Sequence, residues 1–184
     1  MDEETGRRGF HPAQRAVDLA EVVRHDPAVS RDELAAILRA HGEAEADVDP
    51  DAFSGEDAAE LVAAVRRLTA VLRTTDVDAA AERLNDLLAE CAARPRLTRH
   101  GGHPWHLHVD RADDTGWGEW FVTSSALGLA QLLSERGRLA WGECAAPRCD
   151  ALFLDAGPGS PRRFCSTTCA TRTRVTAHRA RLNP

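Results

Sequence analysis

Apolar residues recur every three or four positions through much of residues 12–92, a spacing that favours amphipathic helices. It predicts helices at about 12–25, 31–41, 55–72 and 77–92. Ser30 with Glu33, and Ser54 with Asp57, have the spacing of N-terminal capping pairs. The acidic segment 43–53 lacks periodicity, and we predict a loop there.

Pro95 ends this pattern. Residues 96–100 and 103–111 predict two strands of a hairpin that turns at Gly101 and Gly102. Further helices are expected at about 119–135, ending at Gly137, and at 167–182, with Ser166 as N-cap. The prediction is a mainly α protein with a short β-hairpin, an α+β fold, and a disordered segment at residues 1–10.

Four of the five cysteines form two closely spaced pairs. Cys144 and Cys149 have four residues between them, Cys165 and Cys169 have three, and fifteen residues separate the pairs. Two short chelating pairs suit tetrahedral zinc, so we predict one structural zinc ion bound by all four thiols in a treble-clef or ribbon-like finger. Disulfides or free thiols are the alternative. Disulfides need an oxidising compartment, whereas the start, MDEETGRRGF, lacks the apolar region of a secretory signal.

The fifth cysteine, Cys91, lies on the predicted inner face of its helix, and we expect a small buried side chain rather than a reactive thiol.

Charge is divided unevenly along the 184 residues, whose net charge is −6. From Cys144 onward seven arginines outnumber two aspartates, a balance of +5 that leaves −11 for the rest. A basic end on an acidic body is typical of a nucleic-acid-binding element attached to a regulatory domain. The alternative is a basic tail that docks on the acidic body of its own chain.

The second cysteine pair and its flanks resemble the CGNR zinc-finger family. That family has two Cys pairs, a basic-aromatic pair before the third Cys, and Cys-Gly-Asn-Arg at the fourth. Here the basic-aromatic pair is Arg163-Phe164, and the signature reads Cys169-Ala170-Thr171-Arg172, so Ala and Thr replace Gly and Asn. Such fingers usually follow an ABATE domain, a stress-linked regulatory domain, and the pair is taken to regulate transcription. The resemblance implies an ABATE-like domain at 11–140 and a finger with a basic helix at 141–184.

Six arginines around the finger are candidates for contacts to nucleic acid, because a guanidinium neutralises a phosphate or donates to a guanine edge. Two of them have structural alternatives: Arg163 as a partner of Asp155, and Arg172 as a donor to carbonyl groups of the metal loops. The six are Arg162, Arg163, Arg172, Arg174, Arg179 and Arg181.

Histidines and tryptophans gather around the predicted hairpin, in His103-Pro-Trp-His-Leu-His108 and the following loop. His106 and His108 alternate along one strand and share a face, which could bind a second metal or an anion; the alternative is an exposed polar face. The candidate ligand site consists of Trp105, His106, His108 and Trp117.

These patterns favour a cytoplasmic regulator that binds double-stranded DNA and has a sensing or dimerisation domain. The expected partners are therefore DNA, a small-molecule effector and a second copy of the chain in a homodimer. The runs of apolar residues are too short for a membrane-spanning helix. An RNA- or protein-binding adaptor is the alternative. An enzyme with the hairpin as its active site is disfavoured, because the sequence has no phosphate loop or nucleophile motif and four cysteine ligands leave zinc no open position.

Overall fold

The computed structural model describes residues 12–91, 94–99, 105–109, 111, 115–155, 157 and 160–182, apart from the side chains of Cys91, His106 and Leu182. Four predictions lie outside this described part: the disorder of residues 1–10, the glycine turn of the hairpin, the role of the Cys91 thiol, and the contacts of His106.

Helices form most of the described structure, and the hydrophobic periodicity located all of them to within a few residues. The helix predicted at 119–135 begins two residues earlier than expected and ends one residue later, so that it spans Trp117–Arg136. The helices are α1 (Pro12–His25), α2 (Arg31–Ala40), α3 (Gly55–Leu72), α4 (Val77–Cys91), α5 (Trp117–Arg136) and α6 (Thr167–Leu182). None of the described helices is long and apolar enough to cross a membrane.

The predicted caps determine where these helices begin and end. Ser30 Oγ accepts a hydrogen bond from the Glu33 N–H at 3.2 Å. At α3, Ser54 and Asp57 form a complete capping box, in which each side chain accepts from the other residue's backbone N–H. Gly137 ends α5 in the left-handed conformation with φ of 61°, a region that glycine adopts without steric cost.

The main core forms where α1, α3 and α5 pack against one another, with α2 and α4 at the sides. The loop predicted at 43–53 contains a 3-10 turn at Glu45–Asp47 and contributes two fully buried side chains, Val48 and Phe53. The Phe53 ring lies 4.8 Å from that of Trp117. Its burial depends on a helix more than sixty residues away along the chain, so local periodicity did not reveal it.

Two short antiparallel hairpins complete the fold of the described residues. Strands β1 (Arg96–Thr98) and β2 (His106–His108) form the predicted hairpin, with Leu97 opposite Leu107. Strands β3 (Trp141–Glu143) and β4 (Leu152–Leu154) form a second hairpin within the finger.

The β3–β4 hairpin packs directly on the helical body. Trp141, Leu152 and Leu154 belong to the main core, and the Trp141 indole N–H donates to the Val71 carbonyl of α3 at 3.3 Å. The other two aromatic residues of the finger lie elsewhere: Phe164 packs within the cysteine cluster, and Phe153 lies beneath the Arg162 guanidinium.

Polar contacts fix the same hairpin to α1 and α3. The Leu152 N–H donates to a carboxylate oxygen of Glu21 at 2.9 Å, and Arg24 forms an ion pair with Asp150 at 2.7 Å. On the other side Arg73 pairs with Glu143 at 3.3 Å. The finger therefore forms part of the body's structure rather than hanging from it on a linker.

Replacing Trp141 by Ala should lower the free energy of unfolding by about 3–5 kcal/mol, because the change leaves a cavity where the finger meets the core. Urea unfolding followed by circular dichroism measures this loss. Trp105→Ala is the matched control, because that side chain is 65% exposed; the control should change stability by no more than about 0.5 kcal/mol. Equal losses in both variants would contradict the proposed contact between finger and core.

Candidate metal centre and nucleic-acid interface

The four cysteines predicted from spacing converge on one point. Their sulfur atoms all lie within 4.8 Å of one another. Cys165 Sγ is 3.7 Å from Cys169 Sγ and 3.8 Å from Cys149 Sγ, and the Cys149–Cys169 distance is 3.8 Å. A tetrahedron of sulfurs at about 2.3 Å from a zinc ion has edges of about 3.8 Å. Disulfide sulfurs would stand about 2.05 Å apart, so the arrangement is that of metal ligands.

The first pair is held by a tight turn between β3 and β4. The Cys144 N–H donates to the Ala151 carbonyl at 2.9 Å, and the Cys149 N–H donates to the Ala146 carbonyl at 3.1 Å. Arg148 adopts the left-handed conformation with φ of 61°, which turns the chain sharply enough for the two thiols to meet.

The second pair stands at the start of α6. Ser166 Oγ accepts a hydrogen bond from the Cys169 N–H at 3.2 Å, as the predicted N-cap requires. Cys165 precedes the helix, and Cys169 lies in its first turn. The metal ligands thereby join the β3–β4 hairpin to the N-terminal end of α6.

The electrostatics of the cluster suit a dication. Burial raises the pKa of Cys144, but backbone N–H groups of Cys165 and Ala146 outweigh it and lower that pKa to about 7. The pKa of Cys165 is raised to about 12, mainly by burial and to a smaller extent by the neighbouring Cys144 and Cys169 thiols. Several neighbouring thiolates are therefore unfavourable without a cation, and a dication offsets their charge.

This donor set fits one structural zinc ion held by Cys144, Cys149, Cys165 and Cys169. Four thiolates close the tetrahedron, so the ion would supply a cross-link rather than a site for substrate. Among the described residues, no other group of histidine, cysteine, aspartate or glutamate side chains comes together at metal-binding distances.

The side chains of two of the candidate arginines donate hydrogen bonds to the finger's own atoms. The Arg162 guanidinium donates to the carbonyls of Leu154 at 3.2 Å and Cys165 at 2.6 Å, and so connects β4 to the second cysteine pair. Arg172 donates to Cys169 Sγ at 3.5 Å, a contact to a ligand sulfur rather than to the loop carbonyls considered from sequence.

Asp155 is a buried carboxylate of the finger, directly after β4, and its ion-pair partner is Arg138, at 2.9 Å. Burial raises the pKa of Asp155, but the Arg162 N–H and the Arg138 guanidinium outweigh that effect and hold the pKa below its ordinary value. Arg163, the alternative partner considered from sequence, instead holds its guanidinium 5.9 Å from the Phe164 ring centre.

Helix α6 extends from the metal centre into solvent. Between Thr167 and Arg181 only Cys169 is buried, and even the apolar side chain of Val175 is 43% exposed. Within the part of the chain that the structure describes, the side chains of Arg174, Arg179 and Arg181 form no ion pair or hydrogen bond. The sequence has no acidic residue after Asp155.

Of the candidate ligand site, the structure describes the side chains of Trp105, His108 and Trp117, and it gives each of them a different partner. Trp105 is 65% exposed on the hairpin with the Arg99 guanidinium 5.4 Å from its ring, and His108 Nδ1 lies 3.4 Å from an Arg96 nitrogen. Trp117 belongs to the aromatic cluster of the body, 5.1 Å from Trp120. Ligand binding at the hairpin therefore stays a prediction.

Substituting Cys149 by Ser should abolish the binding of one zinc per chain and lower the melting temperature of the whole protein, because the finger's hairpin completes the main core. Metal analysis of the purified protein and thermal unfolding measure the two effects. Cys91→Ser is the control, expected to retain the metal. Full zinc content in Cys149→Ser would show that the metal is bound elsewhere.

Comparison with known families agrees with this arrangement. The model of the ABATE family, described as "Putative stress-induced transcription regulator", matches residues 13–146, well over half of the chain. The CGNR zinc finger matches residues 141–182, so that β3 and Cys144 fall within both matches. No curated protein was found to match the chain. The chain therefore belongs to the ABATE family and carries a CGNR zinc finger in its C-terminal region.

Proposed function

We propose that this protein is a cytoplasmic transcription regulator that binds double-stranded DNA through α6. The supporting observation is that α6 stands in solvent with arginines but no acidic residue, while its first turn is anchored at the zinc site. A helix that is polar on all sides is not stabilised by its own packing, and a polyanionic partner would offset its charge.

The positions of the arginines along α6 suit the two walls of the DNA major groove. At 3.6 residues per turn, Arg172 and Arg179 fall on one side of the helix, whereas Arg174 and Arg181 fall on the opposite side. A helix of 16 residues is about 24 Å long, and the major groove is about 12 Å wide, enough to admit it. Each row of guanidinium groups would then face the phosphates of one strand.

Between these two rows, α6 carries small side chains on the arc that contains Thr173, Thr176 and Ala180. Small residues let a helix backbone approach the base edges closely, and threonine methyls supply apolar contacts to bases. The Thr173 and Thr176 hydroxyls donate to the Cys169 and Arg172 carbonyls of α6 itself. The zinc site would orient this face by holding the first turn of α6, and Arg162 would stiffen the loop before it.

The helical body would then serve in sensing an effector or in dimerisation, as its membership of the ABATE family favours. No catalytic role is assigned to the metal centre, since four thiolates leave no coordination position for a substrate.

Replacing Arg174, Arg179 and Arg181 together by Ala should weaken duplex binding at low salt by about 100-fold or more. If each contacts one phosphate, the slope of log K against log salt should decrease in magnitude by about 2.7. Fluorescence anisotropy with DNA from the gene's own upstream region, at several salt concentrations, measures both. Arg83→Ala, an exposed arginine of α4, is the control.

Unchanged affinity in the triple variant would refute the role of α6. Displacement of the DNA by equimolar single-stranded RNA would favour the adaptor instead.

Arg172 and Arg179 form a matched pair on one side of α6, but only Arg172 contacts a ligand sulfur. Arg172→Ala should therefore weaken both zinc retention and DNA binding, whereas Arg179→Ala should weaken DNA binding alone. Competition with a chromogenic chelator measures zinc retention. Equal zinc retention in the two variants would assign Arg172 to DNA contact only.

A further inference from the structure

The β1–β2 hairpin places its apolar side chains on the face that is exposed to solvent. Leu97 and Leu107 lie directly opposite each other and share this face with Trp105, two residues before Leu107. The exposed fractions of Leu97, Leu107 and Trp105 are 68%, 38% and 65%. In the part of the chain that the structure describes, five large hydrophobic side chains are exposed, and these are three of them. The exposed apolar surface is therefore concentrated on one face of this hairpin.

The opposite face of the hairpin is polar and less exposed. Arg96, Thr98 and His108 lie there, and each is only partly accessible to solvent. An antiparallel sheet with one covered face ordinarily covers its apolar face and turns its polar face to water. Here the arrangement is reversed, on a sheet of only two strands, and such small sheets are marginally stable by themselves. The reversal indicates that a further surface covers the apolar face.

The margin of this apolar face is basic. The Arg99 guanidinium lies 5.4 Å from the Trp105 ring, and Arg94 is exposed just before β1. Neither arginine forms an ion pair or a side-chain hydrogen bond with the described residues. Residues 94–99 and 105–109 include no acidic side chain. A surface that fits the hairpin therefore offers apolar area together with carboxylates.

The outer side of α4 carries carboxylates that match the basic margin. Asp78, Glu82 and Asp86 are exposed and follow one another at a spacing of four residues, which places them in one row along the helix. None of the three forms an ion pair within the described part of the chain. Like charges at this spacing destabilise a helix, and guanidinium groups of a partner would offset their repulsion.

The hairpin and α4 are neighbours in the fold. Only residues 92–95 connect the end of α4 to β1, and Arg111, beyond β2, donates to the Glu90 carbonyl of α4 at 2.9 Å. In a two-fold symmetric pair the same surface serves both chains, so hairpins that pack on each other bring each one near the partner's α4. The hairpin alone is too small for a stable dimer, because standard interfaces involve about 20–30 residues on each side. The outer side of α4 enlarges the contact.

We infer that a second copy of this chain covers the apolar face of the hairpin in a two-fold symmetric homodimer. Leu97, Trp105 and Leu107 of the two copies pack against one another, while Arg94 and Arg99 of each copy face the carboxylate row of the other copy's α4. This association does not rest on the proposed DNA binding. Its consequence, that one duplex meets two α6 helices, does rest on it.

Sedimentation velocity of the zinc-loaded full chain, over a range of concentrations at low salt, tests the association. The mass should rise with concentration from that of one chain to that of two. Leu97→Asp should weaken dimerisation at least tenfold, because it places a charge in the apolar contact. Val175→Asp, the matched change at an exposed apolar residue of α6, should leave dimerisation unchanged. Dilute, monomeric Leu97→Asp protein should unfold at the same temperature as the parent, since this side chain is 68% exposed in the single chain.

Two charge-reversed variants distinguish a contact between chains from a contact within one chain. Arg99→Glu and Glu82→Arg should each dimerise more weakly than the parent, because each change brings like charges together across the interface. In an equimolar mixture the two variants should associate with each other severalfold more tightly than either associates with itself. Both charge contacts of such a heterodimer join opposite charges. Sedimentation with one variant fluorescently labelled measures the difference.

A chain that remains monomeric at high micromolar concentration would overturn the interface, as would a dimer that Leu97→Asp leaves intact. A mixture of the charge-reversed variants that associates no better than the separate variants would reject the packing of the hairpin near the partner's α4. Dimerisation by a protein that binds no DNA would retain the interface and reject the proposed function. DNA binding by a chain that stays monomeric would retain the proposed function and reject the interface.

Discussion

The convergence of four thiols determines the geometry of the C-terminal finger. The two pairs come from a turn between strands and from the start of a helix, elements that share few other contacts. Burial and mutual proximity oppose the ionisation of Cys165, so the cluster is stable as thiolates only around a cation. A zinc ion would neutralise the thiolates and cross-link the two cysteine pairs, and this cross-link would fix the direction of α6.

That cross-link is connected to the body because the β3–β4 hairpin belongs both to the metal centre and to the main core. One side of it carries the first metal ligands, and the other buries Trp141, Leu152 and Leu154 in the core of the helices. Ion pairs from Arg24 and Arg73 hold its exposed edges. The finger and the body are therefore mechanically continuous, and a change in the packing of α3 against α5 has a direct route to α6.

The charged side chains of the finger fall into two groups, one that pairs with the body and one that faces solvent. The body binds the inner part of the finger through two of its arginines, which pair with the finger's aspartates: Arg138 with Asp155 and Arg24 with Asp150. The outer arginines of α6 face solvent without such pairs among the described residues. The tail therefore does not dock on its own body in this structure, which leaves its positive surface available to a partner.

Local information in the sequence determined the helices, their caps and the metal ligands. Periodicity of 3.6 residues, the Ser54–Asp57 capping box and the short spacing within each cysteine pair depend only on near neighbours. The tertiary structure alone decided which side chains outside these patterns are buried or paired. Phe53 and Trp117 meet across distant segments, and Arg162 binds carbonyls of the finger although its sequence context is that of an exposed basic loop. Such contacts form only when segments far apart in the chain come together in three dimensions. The local sequence patterns used for prediction contain no information about which distant segments meet.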